Sequence, residues 1–365
     1  MSERFDIAII GAGIAGASLA AELGAHAKVL LLEAEDSPGY HSTGRSAAFW
    51  AESYGGPLVQ PLTTASGPWL EEHGFLGPRG GLHIAREGQE TETRTFMAEF
   101  GAAGVHVEWQ DRAGLESFLP GLRPEWNHGV FEPDCKDIEV AGLHAWYLAE
   151  AKRLGVELRI RAALVHAEHS AWGWALQTAD GASLACDTLV DAAGAWADPI
   201  AELAGIAPLG IQPFRRTIAQ LRTAPEAAHT MPLVMDIAEQ FYFKPEHGRL
   251  WLSPHDETPC APCDAAPEEL DIAIAIDRFE HVVDWRVERV EHKWAGLRSF
   301  APDRLPVYGP DPANPAFFWF AGQGGFGIQT APAAARLGAQ LLLGQSSDGL
   351  TAKIDRDRYL AARFA

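Results

Sequence analysis

The chain has 365 residues, 47% hydrophobic and 21% charged, the proportions of a folded water-soluble protein. That length exceeds what one small core organises and predicts two subdomains. A net charge of −20 repels nucleic acid and anionic membrane surfaces, so neither is an expected partner.

The first element is FDIAII at 5–10, an apolar run with the character of a buried strand. Gly11-Ala12-Gly13-Ile14-Ala15-Gly16 follows and leads into the helical run ASLAAELG. Each glycine has a mechanical role. Gly11 permits a tight turn, Gly13 lets backbone approach a pyrophosphate, and Gly16 lets helix pack closely on strand. The start of that helix presents unpaired N–H groups to an anion. KVLLL at 28–32 is the next strand and runs into Glu33-Ala34. Glu33 lies about 20 residues past Gly13, the interval at which an acid binds a ribose 2′-hydroxyl. It also disfavours a 2′-phosphate. The apolar stretch 7–21 has the length of a secretory core, but it lacks a basic leader and is bracketed by Asp6 and Glu22. It is too short to span a bilayer, so no transmembrane segment is expected.

This fingerprint does not separate NAD from FAD. The next segment, GYHSTGRSAA at 39–48, bears on the choice. Ser42, Thr43, Gly44, Arg45 and Ser46 precede AAFWAE, which contains Ala48 and is expected to open a second helix. A hydroxyl-rich turn at a helix start offers donors to a diphosphate. Taken alone, the loop reads by default as an N-cap from Ser42 or Thr43 with Arg45 solvated. His41 reads as a packing or hydrogen-bonding residue.

Farther along, 139–154 predicts an amphipathic helix, VELRI a strand, and DGASL at 180–184 a hairpin. CDTLVDAAGAW at 186–196 is a strand ending at Ala193-Gly194. Strand runs QFYFKP and RLWLSP follow, with a helix inside PEELDIAIAIDRFEHVV. Cys260 and Cys263 form CAPC in a Pro-rich loop. No second pair completes a zinc site, so they read as incidental and no metal is expected. Cys135 and Cys186 complete a cysteine count that suits a reducing cytoplasm. WAGLRSF at 294–300 isolates Arg298 among apolar residues. FFWFAGQGGFGIQT at 317–330 breaks from an aromatic strand into the turn Gly324-Gly325-Phe326-Gly327, after which Ile328 and Gln329 are expected to open a helix.

The succession GAGIAGAS, Glu33, GYHSTGRSAA, DAAGAW, WAGLR and AGQGGFGIQT resembles the FAD-dependent amino-acid oxidoreductase family of D-amino acid oxidase and glycine oxidase. Within that family it is most similar to the bacterial D-arginine dehydrogenases. The resemblance runs from Phe5 to about Leu343. It implies an α/β fold: a discontinuous Rossmann-like FAD-binding domain over 1–80, 139–212 and 293–365. An inserted α+β substrate domain with a mostly antiparallel sheet would occupy 81–138 and 213–292. It implies non-covalent FAD, since no cysteine follows Cys263, with Val165 facing the adenine and the glycine turn crossing the flavin. The helix N-terminus at Ile328 and Gln329 would then face the flavin. The resemblance places a carboxylate clamp at Arg298 with Tyr242, a lid tyrosine at Tyr54 and a further active-site arginine at Arg216.

The implied chemistry is oxidation of the Cα–N bond of an amino acid, of D configuration by the nearest resemblance, with oxygen or a quinone as electron acceptor. A guanidinium fork is the natural partner for the substrate carboxylate. Two departures redirect specificity. Phe49 stands where relatives that take basic amino acids carry histidine, and Gly81 where they carry an acid. The expected side chain is therefore neutral or apolar. A flavin oxidase of glycine, N-methyl amino acids or 2-hydroxy acids is one alternative. A non-catalytic flavin-binding or electron-carrying subunit is the other.

Overall fold

The computed structural model describes residues 3–47 and 49–365. Strand Glu3–Ile10 runs into the glycine turn, helix Ile14–Leu23 returns, and strand Val29–Leu32 pairs parallel to the first. On its other side Glu3–Ile10 pairs parallel to Ser183–Asp191, which in turn pairs parallel to Phe317–Ala321. Strands Glu157–Arg159, Leu164–Ser170, Gly173–Thr178 and Val307–Pro310 complete an eight-stranded sheet. Its central strands are apolar on both sides because both faces are covered. Ile7 and Ile9 pack into one core, Ala8 and Ile10 into the other. Helix Ile14–Leu23 lies close to its strand because Gly16 has no side chain. A Cβ there would sit 1.8 Å from the Gly11 carbonyl oxygen.

The second sheet has nine strands. Among the described residues its only parallel pairing is between Leu233–Asp236 and Gly81–Arg86. One face is covered by helix Glu269–Glu280, whose Ile272, Ala275 and Phe279 join a core with Phe243 and Leu252. The longest ladder joins Gln212–Ala224 to Arg286–Phe300. The chain therefore stays in this sheet to Phe300, and the boundary expected at 293 falls inside a strand.

Two local expectations are corrected. AAFWAE opens no helix. Phe49–Trp50 is a short strand paired with Lys136–Ile138, which also takes Leu76–Pro78 in a three-stranded sheet. Gly55 and Gly56 have φ of +101° and +81°, values a helix does not use, and the helix begins only at Gln60 with Pro61 in its first turn. Ile328 and Gln329 also precede their helix, which runs Ala331–Leu343 with Thr330 as N-cap.

Candidate active site

A cavity of about 410 Å³ runs along the C-terminal ends of the parallel strands, the end at which open α/β sheets bind ligands. Gly11, Gly13, Ile14 and Ala15 form one wall, with Glu33 and Ala34 beside them. Ser42, Thr43, Arg45 and Ser46 form a second, and Ala193 and Gly194 a third. Gly324, Gly325, Gly327 and Ile328 lie toward the end that also carries Arg216 and Arg298.

The remaining expected residues act from behind or stand apart. Gly16 sets the helix packing, and the Gly44 N–H closes the loop on the Gly39 carbonyl at 2.8 Å. Phe326 turns away to pack on Phe300 and Val59. Val165 is 51% exposed and outside the cavity wall, which Ala162, Ala163 and Leu164 supply. In that strand Leu164 is buried, and an irregularity in the pairing between Leu164 and His166 leaves Val165 exposed. Ala48 lies outside the described residues.

The cavity fits an extended dinucleotide. Gly11 has φ +97°, and a Cβ on it would meet the Ala192 carbonyl oxygen at 2.6 Å. Gly194, at φ +58°, has nothing within 4 Å of where a Cβ would stand, leaving room for a ligand against its backbone. Glu33 is held in place by its own chain: Ala12 N–H donates to Oε2 at 2.9 Å and Glu35 N–H to Oε1 at 3.0 Å. Each oxygen keeps a lone pair for a ribose hydroxyl.

The GYHSTGRSAA loop is neither a plain helix cap nor a solvated turn. Thr43 Oγ1 accepts from Ile14 N–H at 3.0 Å, pinning the loop to the glycine turn. Ser42 Oγ donates to the Leu297 carbonyl at 2.7 Å. Arg45 donates to the Ala265 and Ala295 carbonyls at 2.8 and 3.1 Å and pairs with Asp264. Its charge thus ties the 260–265 loop down rather than facing an anion. The CAPC cysteines lie in that tied loop, and all four cysteines are free thiols.

The sequence marked His41 as a packing or hydrogen-bonding residue, and it left His144, which holds the glycine turn from behind, unnoticed. His41 bonds Glu35 through Nε2 at 2.9 Å and packs 4.6 Å from the Trp196 ring. His144 donates from Nε2 to the Ala12 carbonyl at 2.9 Å. Burial depresses its pKa, keeping it a neutral donor. His144 carries no motif and is recognisable only once the fold brings distant segments together.

The far end is narrow. A pocket of about 20 Å³ is bounded by Ala47, Phe49, Tyr54, Tyr242, Arg298 and Gly325. Arg298 Nη1 donates to the Tyr54 hydroxyl, and Nη2 to the Tyr242 hydroxyl at 3.3 Å. Among the described residues Arg298 has no carboxylate partner, although Arg215, Arg216 and Arg304 all do. Burial opposes its charge, but Tyr54, Tyr242, Asp256 and Glu257 outweigh that, and its pKa is raised. Arg216 is 3% exposed; its Nε donates to the Asp256 carbonyl at 2.7 Å and its Nη2 to Glu257 at 3.2 Å, while Nη1 has no partner. Burial and the nearby Arg298 charge lower its pKa. Burial and the same two arginines push His255 down to about 2, so it stands neutral.

The two positions that depart from the relatives of basic specificity pack mainly on apolar groups, with Glu132 as the cross-strand partner of Gly81. A Cβ on Gly81 would touch Cys135 and Met235, and Phe49 packs 4.9 Å from Tyr54 and 6.1 Å from Tyr242. Glu52, the nearest acid in sequence, accepts from Thr64 instead. Gln329 lies behind: its Nε2 donates to the Tyr54 carbonyl at 3.1 Å and to Thr63 Oγ1 at 2.9 Å. No group of potential metal ligands occurs among the described residues, and no helix there is long and apolar enough to cross a membrane.

Comparison with known proteins agrees with this architecture. The chain is 25% identical over 375 residues to the bifunctional protein ThiO/ThiG of Synechocystis sp., covering 99% of this chain and 55% of that one. It thus spans about half the length of this relative. It is 26% identical over 380 residues to a glycine oxidase of Pseudomonas aeruginosa, covering 94% of this chain and 96% of that one. The fold matches glycine oxidase from Geobacillus kaustophilus with a TM-score of 0.84 at 22% identity, over 97% of this chain and 98% of that one. It matches L-proline dehydrogenase from P. horikoshii with a TM-score of 0.85 at 20% identity, over 100% and 98%. Residues 6–341 match the FAD dependent oxidoreductase (DAO) family. The chain belongs to that family, and FAD is its cofactor.

Proposed function

We propose that this enzyme oxidises the Cα–N bond of an amino acid with a neutral or apolar side chain, D configuration preferred, to an imino acid. Water then converts the imino acid to a keto acid and ammonia. The observation that carries this reading is Arg298, a guanidinium with no carboxylate partner among the described residues, flanked by two tyrosine hydroxyls where the cavity narrows. An unpaired charge in such surroundings is costly, and a substrate carboxylate answers it.

Gly11, Gly13, Glu33, Thr43 and Gly194 would hold the dinucleotide, and the turn Gly324–Gly327 would border the reacting end. Bound FAD supplies a two-electron acceptor for the carbon bearing the amine. Arg298 and Tyr242 fix the carboxylate, and with it the orientation of Cα. Tyr54 caps the same group and Arg216 adds a buried donor nearby. Phe49 borders the narrow pocket, and no carboxylate among its lining residues faces a cationic side chain, which would then bear an uncompensated desolvation penalty. The inserted sheet, 81–138 with 213 onward, is the substrate-binding part of the chain. Oxygen or a quinone takes the electrons onward, and free thiols suit a cytoplasmic setting.

A second reading, oxidation of glycine or an N-methyl amino acid, is favoured by the 20 Å³ pocket, room for about one water-sized group. The test is anaerobic bleaching of the purified flavoprotein with both enantiomers of an amino-acid panel. Fastest bleaching by D-Phe, D-Met or D-Leu supports the first reading, and by glycine or sarcosine the second. Preference for D-Arg or D-Lys overturns the side-chain assignment, and no bleaching by any amino acid overturns both readings.

A further inference from the structure

We propose that Glu132 is a positioning residue for the substrate carboxylate: it fastens the loop that carries Tyr54 to the inserted sheet and so holds the Tyr54 hydroxyl on Arg298. The inference rests on the reading of Arg298 as the carboxylate clamp.

Glu132 ends strand Trp126–Glu132 and is 0% exposed. Both carboxylate oxygens are committed to the Tyr54 loop. Glu52 N–H donates to Oε1 at 2.7 Å, and the Ser53 hydroxyl donates to Oε2. Among the described residues the only basic group beside it is His83, one strand away, with Nε2 at 3.9 Å from Oε2 and 3.3 Å from Ser53 Oγ. Register explains the meeting. Gly81 pairs with Glu132 and His83 with Val130, so His83 and Glu132 are diagonal neighbours on one face of the sheet. Ser53 is 6% exposed and His83 6%, so water does not reach the cluster freely.

A carboxylate buried without an arginine or lysine is an expensive tie, and an amide would serve ordinary packing at less cost. What it fastens explains the choice. Tyr54 follows Ser53 directly, and beyond it Gly55 and Gly56 occupy left-handed backbone that gives the loop little stiffness of its own. Tyr54 is gripped at its carbonyl by Gln329 and at its hydroxyl by Arg298. Its N–H donates to the Ala51 carbonyl at 3.2 Å, and Glu132 adds the hold of a buried carboxylate on the two residues before it. Hydrogen bonds to a charged acceptor are the strong kind, suited to a part that must stay within a fraction of an ångström.

The test uses the intact flavoprotein and acetate, an inert carboxylate whose binding is followed by the flavin absorbance change. Ser53→Ala, Glu132→Gln and Glu132→Ala are each made alone and with Tyr54→Phe. Ser53→Ala should weaken acetate about 10-fold, the size of one hydrogen bond to a charged group. It should raise KM by a similar factor with kcat little changed. Glu132→Gln, which still accepts from Glu52 N–H, should fall between wild type and Glu132→Ala. In the Tyr54→Phe background the Ser53→Ala effect should shrink to within about 2-fold, because the two changes act on one contact. An equal effect in both backgrounds, or unchanged acetate affinity in Ser53→Ala and Glu132→Gln, overturns the proposal while the Arg298 reading stands. Unchanged acetate affinity in Arg298→Ala overturns that reading, and this inference with it.

Discussion

Replacing Arg298 by alanine separates a functional cation from a structural one. A structural arginine of an ion pair leaves a buried acid behind when it is removed, at about 3–5 kcal/mol of stability. Arg298 would leave only two tyrosine hydroxyls, which can turn to water or to each other. The folded protein should therefore keep its flavin, with a thermal midpoint within a few degrees of wild type. Turnover should behave differently. Truncating one partner of a buried hydrogen-bonded charge pair costs about 2–5 kcal/mol, or roughly 30- to several-thousand-fold in kcat/KM at 1.4 kcal/mol per decade. Arg298→Lys restores the charge but not the planar fork, and should recover part of the loss. The assay is initial rate at substrate far below KM, beside a thermal melt on the same sample. An alanine variant within about 3-fold of wild-type kcat/KM would refute the clamp, and a variant that unfolds or sheds its flavin would show that Arg298 is structural.

Three further outcomes are expected. Acid or heat precipitation should release all yellow colour to the supernatant, since no cysteine follows Cys263; colour in the pellet would mean a covalent link. Gly325→Ala places a Cβ 2.7 Å from the Tyr54 hydroxyl and 3.0 Å from Arg298 Nη1, so KM should rise about 10-fold with flavin retained; an unchanged KM would show that this contact relaxes freely. His255, at about 2 when folded, takes up a proton on unfolding once the pH falls below the ordinary histidine value of about 6.5. Stability is then lost as pH drops below about 6.5, and His255→Asn, suited to the φ of +54°, should flatten that slope in melts between about pH 7 and 5.

The first βαβ unit was legible because local chemistry dictates it. An apolar run, a glycine turn, a helix and an acid each announce themselves, and Gly11, Gly16 and Glu33 take up the geometry their types suggest. Arg298 was legible as an isolated charge. Partnerships across the fold were not. Nothing near Glu132 in the sequence indicates Ser53, and nothing near Arg45 indicates Asp264, because strand register and loop closure make those meetings. The helix expected at AAFWAE fails for a related reason. Phe49–Trp50 gains a strand partner some 87 residues away, and pairing of that kind overrides local propensity. Val165 was placed by resemblance alone; its side chain is exposed beside Leu164, which lines the cavity, at an irregularity in strand pairing that the sequence does not announce.

The ladder between Gln212–Ala224 and Arg286–Phe300 also bears on which changes of length the chain tolerates. Arg298 sits opposite Phe214, and Arg216 opposite Gly296, so the two guanidiniums are spaced by backbone hydrogen bonds rather than by packing. Register is continuous from Gln212 to Gln220. Both irregularities lie beyond it, at Gln220/Leu221 and Arg222/Thr223. An inserted or deleted residue past Leu221 meets a stretch that already accommodates extra backbone. The same event between Phe214 and Ala219 would rotate one arginine to the opposite face of the sheet while leaving composition and core volume almost unchanged. Length variants of this protein should therefore divide sharply at the bulge, silent on one side and inactive on the other.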